Sequence, residues 1–182
     1  MPARPPGSAW APRAALIAAL LPLLSDCGPA RNQFAPSCPG TAILGDAADF
    51  SAYRGPGRDL TDLVLQARIV SISGNCKKGD DKDHIAVVVS VGVDLTRGPG
   101  MNGREADVPI FLAVVQGDAI LDKQVIRMRS IFPSNVDRVT LTPGEVDLSL
   151  PVTADKTGAS YTLLAGFQLA PDQLRLNRQS GG

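Results

Sequence analysis

The sequence predicts an all-β fold, an antiparallel β-sandwich of six or seven strands. Three observations indicate this fold. Apolar and polar residues alternate with a period of two in several segments, turns containing Gly and Pro separate these segments, and no stretch is suited to a helix long enough for a parallel crossover. An immunoglobulin-like topology is one form that such a sandwich could take, and a small β-barrel is the alternative architecture.

The longest alternating run is the main support for this prediction. From Ile85 to Leu95 every second residue is Val, Ile or Leu, opposite more polar residues such as His84, Ser90 and Asp94. Extended backbone places these apolar side chains on one face, whereas a helix would scatter them around its axis. We therefore expect a half-buried strand here.

The elements before this run are shorter. Residues 38–44 are apolar enough for a short strand, and residues 46–53 are expected to form one or two helical turns. Alternation returns over residues 63–69, which predicts a strand. The polar residues 74–83 then predict a turn.

The elements after the run are separated by turn residues. Ile110–Val115 is continuously apolar, which predicts a central strand covered on both faces. Gly117 supplies the positive φ that a tight hairpin needs. Thr142–Glu145 has Pro and Gly at its centre and predicts a type II turn. Residues 161–169 alternate again, and Pro171 is placed to open a final helical turn.

The N-terminus has the features of an export signal. Arg4 and Arg13 precede an apolar stretch, Ala14 to Leu24, that is too short for a bilayer needing about 20 apolar residues. We therefore predict a signal peptide over residues 1–26 and a Pro-containing tether over 27–37. The sandwich domain follows over 38–178, with a disordered tail over 179–182.

The end of the apolar stretch resembles the processing site of bacterial lipoproteins, which are cut before a cysteine that then receives lipid. The matching residues are Leu24-Ser25-Asp26-Cys27, and Asp26 departs from the small residue normally found before the cysteine. The resemblance implies a lipid on Cys27. It also implies an outer-membrane location on the periplasmic face, with a soluble periplasmic protein as the alternative if Asp26 blocks processing.

The whole chain resembles small bacterial lipoprotein precursors of the alphaproteobacterial type. Beyond the leader, the resemblance is carried by Cys38-Pro39, the Gly57–Leu63 segment, Phe132-Pro133 and the Leu164–Leu169 segment. It implies a compartment and a compact domain, and it implies no reaction.

The cysteine count agrees with lipidation. The chain has 3 cysteines, so a lipid on Cys27 leaves Cys38 and Cys76, which we expect to pair as a disulfide in an oxidising compartment. Neither belongs to a CxxC pair, which argues against redox catalysis and against a zinc site.

The densest polar cluster is a weak candidate for a metal site. Asp80, Asp81, Asp83 and His84 supply carboxylates and an imidazole, but their spacing does not match a calcium loop. Lysines on both sides would repel a cation, so a solvated turn is the preferred interpretation. We predict no metal site, no cofactor and no catalytic residue: the chain has 1 His and lacks a nucleophile elbow.

Arginines suggest a second kind of site. Arg54, Arg58, Arg97 and Arg104 lie in two glycine-rich loops, where guanidinium groups and backbone amides could bind a phosphate or carboxylate. Neither loop matches a known phosphate-binding pattern, so ordinary turn composition is the preferred interpretation. Arg127 and Arg129 alternate on one predicted strand and would form a basic stripe, which more often keeps a sheet edge soluble.

Two classes of function remain open. The 18 Lys and Arg residues balance 18 Asp and Glu residues, which argues against nucleic-acid binding. We expect a non-catalytic, lipid-anchored envelope protein with a structural role, or one that interacts with another protein or a wall polymer. The alternative is a periplasmic hydrolase or ligand-binding protein built on Asp residues and the Arg-containing loops.

Overall fold

The computed structural model describes residues 37–142 and 144–180, together with Met1 and Ala3. Cys27, all of the predicted signal peptide except Met1 and Ala3, and all of the predicted tether except Ser37 lie outside the described residues. Within them the strands are β1 (Gly40–Ile43), β2 (Asp49–Tyr53), β3 (Leu63–Lys78), β4 (His84–Arg97), β5 (Glu105–Gln116), β6 (Ala119–Ile131), β7 (Arg138–Leu141), β8 (Val146–Pro151) and β9 (Thr162–Phe167). Single 3-10 turns span Gly45–Ala47, Leu60–Asp62 and Gly158–Ser160, and one α-helix, α1, spans Pro171–Ser180.

The strands form two sheets packed face to face, which confirms the predicted sandwich. Sheet A has the order β1-β9-β5-β6, and sheet B has the order β2-β3-β4, with β7 and β8 both paired to the far edge of β4. Most neighbours are antiparallel, and β1 with β9 is a parallel pair. The sheets do not close into a barrel.

The alternating run forms β4, as predicted. Its odd-numbered residues from Ile85 to Leu95 are all buried, and Val89, Val93 and Leu95 have no exposed surface. They pack against the inward faces of β5 and β9, where Val108, Leu163 and Phe167 are also buried. This layer between the sheets is the core of the domain.

The two long hairpins are partly as predicted. Gly117 has a φ of 55°, and Gln116 pairs with Ala119, so the predicted tight turn between β5 and β6 is confirmed. The predicted polar turn over 74–83 is too long, because β3 continues to Lys78. Gly74 lies in the paired strand, where a Cβ atom would collide with the backbone of Val88.

Two further elements differ from their predictions. Residues 46–53 form a 3-10 turn followed by β2, because pairing with β3 offers the second half of this segment a sheet edge. The final helical turn is a full helix, Pro171–Ser180, which takes in the first residues of the expected disordered tail.

The predicted disulfide is present. Cys38 and Cys76 are bonded, with Cα atoms 5.6 Å apart. The bond joins the residues just before β1, at the edge of sheet A, to β3 of sheet B. It closes a loop with a sequence separation of 38 residues. A closed loop of that length stabilises a fold by about 4 kcal/mol in the chain-entropy description.

Candidate functional site

The weak metal candidates lie in the β3–β4 turn and at its end. Asp80, Asp81 and Asp83 are exposed, and His84 begins β4 with its Nδ1 atom buried and without a hydrogen-bond partner. In residues 37–142 and 144–180, no group of three or more His, Cys, Asp or Glu side chains is placed to hold a metal ion. The turn is closed by the N–H of Gly79, which donates to the carbonyl of His84 at 3.0 Å.

The arginines of the two glycine-rich loops are bound by groups of the protein itself. Arg54 donates to the carbonyl of Gly100 and to Oδ1 of Asn102, so it joins the two loops to each other. Arg58 pairs with Asp172 at 3.0 Å and lies 5.8 Å from the ring centre of Tyr53.

The other two arginines are engaged elsewhere. Arg97 lies 3.9 Å from Asp137, and Arg104 donates to the hydroxyl of Ser134 at 3.0 Å. The four guanidinium groups therefore fasten loops to different neighbours and do not converge on one anion site.

The outer face of sheet B carries a row of polar residues. Asp49, Arg68, Asp94 and Thr140 are opposite one another across β2, β3, β4 and β7. Arg68 donates twice to Asp49, at 2.6 and 3.1 Å, and this hydrogen bonding raises the pKa of Arg68. Thr140 donates to Asp94 at 2.7 Å. These exposed side chains satisfy each other, which is typical of a solvated sheet face.

A groove lies along the side of the sandwich where β6 ends sheet A and β7 and β8 end sheet B. Its volume is about 660 Å³. Side chains of Ile126, Met128, Leu141 and Val146 give it an apolar floor. A second cavity of about 340 Å³ shares Gln124 and Asp147 with the first, so the two cavities are adjacent.

The two walls of the groove carry opposite charges. Arg127 and Arg129 lie on the β6 side, and Glu145 and Asp147 lie on the β8 side. Both arginines are within 3.6 Å of one carboxylate, Asp107 on the neighbouring strand β5. One carboxylate between two guanidinium groups leaves an excess of positive charge here. Arg127 and Arg129 therefore form the predicted basic stripe, and this stripe borders the groove.

β6 also carries an unusual amount of exposed apolar surface. Four of its side chains are at least half exposed: Ile120 at 66%, Leu121 at 50%, Val125 at 53% and Ile131 at 62%. The sequence alone did not identify this strand as a site. The available signal was the mixture of apolar and basic residues over 119–131, but only the sheet order shows that the strand is an edge.

The fold and the groove define a β-sandwich domain with one open, groove-bearing side. Comparison with known proteins gives no match: no family model fits the chain, and no curated protein or solved structure is similar to it. In the described part of the chain, no helix is long and apolar enough to cross a membrane.

Proposed function

We propose that this protein is a non-catalytic, lipid-anchored component of the bacterial envelope that holds another envelope component in the groove beside β6. The observation that carries the proposal is the groove itself. An apolar floor between oppositely charged walls is suited to an elongated ligand with apolar and charged groups. The signal peptide and Cys27 support the location of the protein in the envelope.

The composition of the groove favours binding over catalysis. His84 is the single imidazole of the chain, and it is not among the described residues that line either cavity of the groove. The charged groups of the groove are Arg, Asp and Glu on opposite walls, a pattern that orients a ligand by complementary charge.

The alternative, a hydrolase or ligand-binding protein built on Asp residues and the Arg-containing loops, has less support. Its arginines are already bound to Gly100, Asp172, Asp137 and Ser134. An anion would have to displace these partners one by one at separate places on the surface.

Two measurements test the proposal. The intact mass of the protein recovered from bacterial membranes should correspond to a triacylated chain beginning at Cys27, and the Cys27→Ser variant should lose this species. A photo-crosslinking residue at Gln124, in the groove, should then give a discrete product with an envelope component in living cells. The matched control carries the same photo-crosslinking residue in place of Lys77, on the exposed end of β3.

Two results would reject the proposal. A lipid-free product cut at another position would remove the anchor. Crosslinking at Gln124 that is no stronger than at Lys77 would remove the groove as a binding site.

A further inference from the structure

Among the described strands β6 pairs with β5 alone, and we propose that its other edge, called the free edge below, binds an acidic, extended segment of a partner protein, which adds as a further strand to sheet A. This inference rests on the proposed function and names the chemistry of the partner. It follows from the direction of the backbone groups of β6, from its charges and from its exposed apolar side chains.

The direction of the backbone groups follows from Pro109. Its carbonyl accepts a hydrogen bond from the N–H of Gln168 at 2.9 Å, on the β9 side of β5. Pro109 therefore directs no backbone hydrogen bond toward Arg127, its partner on β6. Within an antiparallel pair of this kind, Arg127 directs its own N–H and C=O away from β5, toward the free edge.

The neighbouring residues on β6 extend this pattern. Backbone direction alternates along a strand, so Lys123, Val125 and Arg129 also point their N–H and C=O groups outward. The N–H of Lys123 donates to the carboxylate of Asp122 at 2.8 Å, as expected for a donor that does not pair with β5. The backbone N–H of Lys123 is thus already hydrogen-bonded, whereas Val125, Arg127 and Arg129 offer a row of backbone groups to an added strand.

The side chains of the same residues define the partner. In an antiparallel addition, a partner residue lies directly opposite each outward-pointing residue, on the same face of the sheet. Lys123, Arg127 and Arg129 are cationic, and Val125 is apolar. The Nζ atom of Lys123 lies 4.5 Å from the ring centre of Phe111 and pairs with no carboxylate of residues 37–142 or 144–180. The complementary segment therefore has Glu or Asp opposite the three cations and an apolar residue opposite Val125.

The charges also argue against a second copy of this chain as the occupant. Two β6 strands paired about Val125 place Lys123 of each copy opposite Arg127 of the other. If the two strands pair about Arg127, the Arg127 side chains of the two copies lie opposite each other. If they pair about Ile126, Lys123 of each copy lies opposite Arg129 of the other. Like charges directly opposite each other destabilise a strand pair. These cations protect the edge from self-association and leave it open to an acidic strand.

The exposed apolar side chains of β6 are a third argument for an added strand, because such a strand would cover them. A long edge strand with apolar side chains in water is an aggregation hazard unless it is charged or paired. Ile120, Val125 and Ile131 all lie in this strand and are more than half exposed. A strand added opposite residues 123–129 would cover Val125, and a longer one would also cover Ile120 and Ile131. Because β6 lines the groove as well, one partner can contact both features.

The test uses the full chain purified from a bacterial host and a capped peptide, Glu-Thr-Glu-Thr-Val-Thr-Glu, labelled for fluorescence anisotropy. The peptide sets Glu opposite Arg129, Arg127 and Lys123 in an antiparallel pair. The matched peptide has Lys in place of each Glu. We expect saturable binding of the acidic peptide only, weakening with salt. We also expect slower amide hydrogen exchange at Val125 and Arg127 when the acidic peptide is bound.

Charge reversal completes the test. The double variant Lys123→Glu with Arg127→Glu should weaken binding by roughly tenfold or more, because two attractive cross-strand pairs become repulsive. Lys77→Glu with Arg175→Glu makes the same change in net charge at exposed positions outside β6, and it should bind as the unmodified protein does. Circular dichroism and thermal unfolding of both variants confirm that each is folded.

Every other outcome overturns the proposal. The proposal is wrong if the acidic peptide does not bind or if the Lys peptide binds equally well. It is also wrong if the bound peptide slows hydrogen exchange only outside β6, or if the Lys77→Glu, Arg175→Glu control variant loses binding. Protection of β6 that appears with protein concentration alone would show that a second copy is the occupant. Failure of the proposed function can be told apart from failure of this inference. If Cys27 carries no lipid, the purified protein should still bind the acidic peptide.

Discussion

Cys38 and Cys76 are covalently joined across the two sheets, so the residues just before the first strand of sheet A are fixed to β3 of sheet B. Ser37 is the first described residue before Cys38, and the rest of the predicted tether back to Cys27 lies outside the described residues. The disulfide thus sets the point at which a tether would leave the domain. It transfers any pull on the tether to β3, which at Cys76 is paired with Val87 of β4.

Breaking this disulfide should destabilise the domain. We expect the Cys38→Ser, Cys76→Ser double variant to lose about 4 kcal/mol of unfolding free energy, because its unfolded chain regains the freedom of the open loop. Urea denaturation followed by circular dichroism measures the change. Reductant should lower the stability of the parent protein and leave the double variant unaltered. Equal stability of the two proteins would contradict a structural role for the bond.

Truncating a core residue of β4 should have a large effect. Leu95 is 0% exposed, and Leu95→Ala should cost about 2–5 kcal/mol through lost apolar burial and the cavity that remains. Leu60 is 75% exposed, and Leu60→Ala is the matched control, with an expected change within about 0.5 kcal/mol. Thermal and urea unfolding of both variants test this expectation. Comparable losses at both positions would be inconsistent with the sheet packing described above.

The hydroxyl of Tyr161 contributes through one hydrogen bond. It donates to the carbonyl of Pro151 at the end of β8, and the Tyr161 side chain is buried. We expect Tyr161→Phe to lower the unfolding free energy by about 1 kcal/mol, because the ring packing is kept and only the bond is lost. Tyr53→Phe, at a half-exposed ring, is the control for removal of a hydroxyl. A neutral Tyr161→Phe variant would mean that water replaces the bond without loss.

The β5–β6 turn depends on the positive φ of Gly117. Replacing Gly117 by Val should cost about 1–2 kcal/mol, because a β-branched side chain is strained in this conformation. Asn adopts it more readily, so Gly117→Asn should cost less than the Val variant. The order of their unfolding midpoints checks the prediction. No atom lies within 4 Å of a Cβ placed at Gly117, so backbone conformation and not a steric clash determines the ranking.

The parts of the fold that the sequence predicted are those encoded locally. Alternation from Ile85 to Leu95 fixes which face of β4 is buried, because side chains of a strand point to opposite faces in turn. Gly117 marks the β5–β6 turn for a similar reason, since few residues accept a positive φ. The Cys38–Cys76 pair followed from a count of cysteines once Cys27 was assigned to a lipid.

The candidate site could not be predicted in this way, because it depends on which strands end each sheet. Ile126 and Val146 belong to different sheets and meet at the groove because β6 and β8 both lie at sheet edges among the described strands. Nothing in their local sequences specifies this. β2 was missed for the same reason: Asp49 and Phe50 are strand residues because of their partners on β3.

The parallel pairing of β1 with β9 has a consequence for the order of folding. Among the described strands, β1 is hydrogen-bonded to β9 alone, from Gly40 opposite Thr162 to Ile43 opposite Ala165. A growing chain therefore has no place for its first strand until its last strand has been made. Sheet A is therefore completed only after β9 has been made, so its edge at β1 is the last part of the sheet to form.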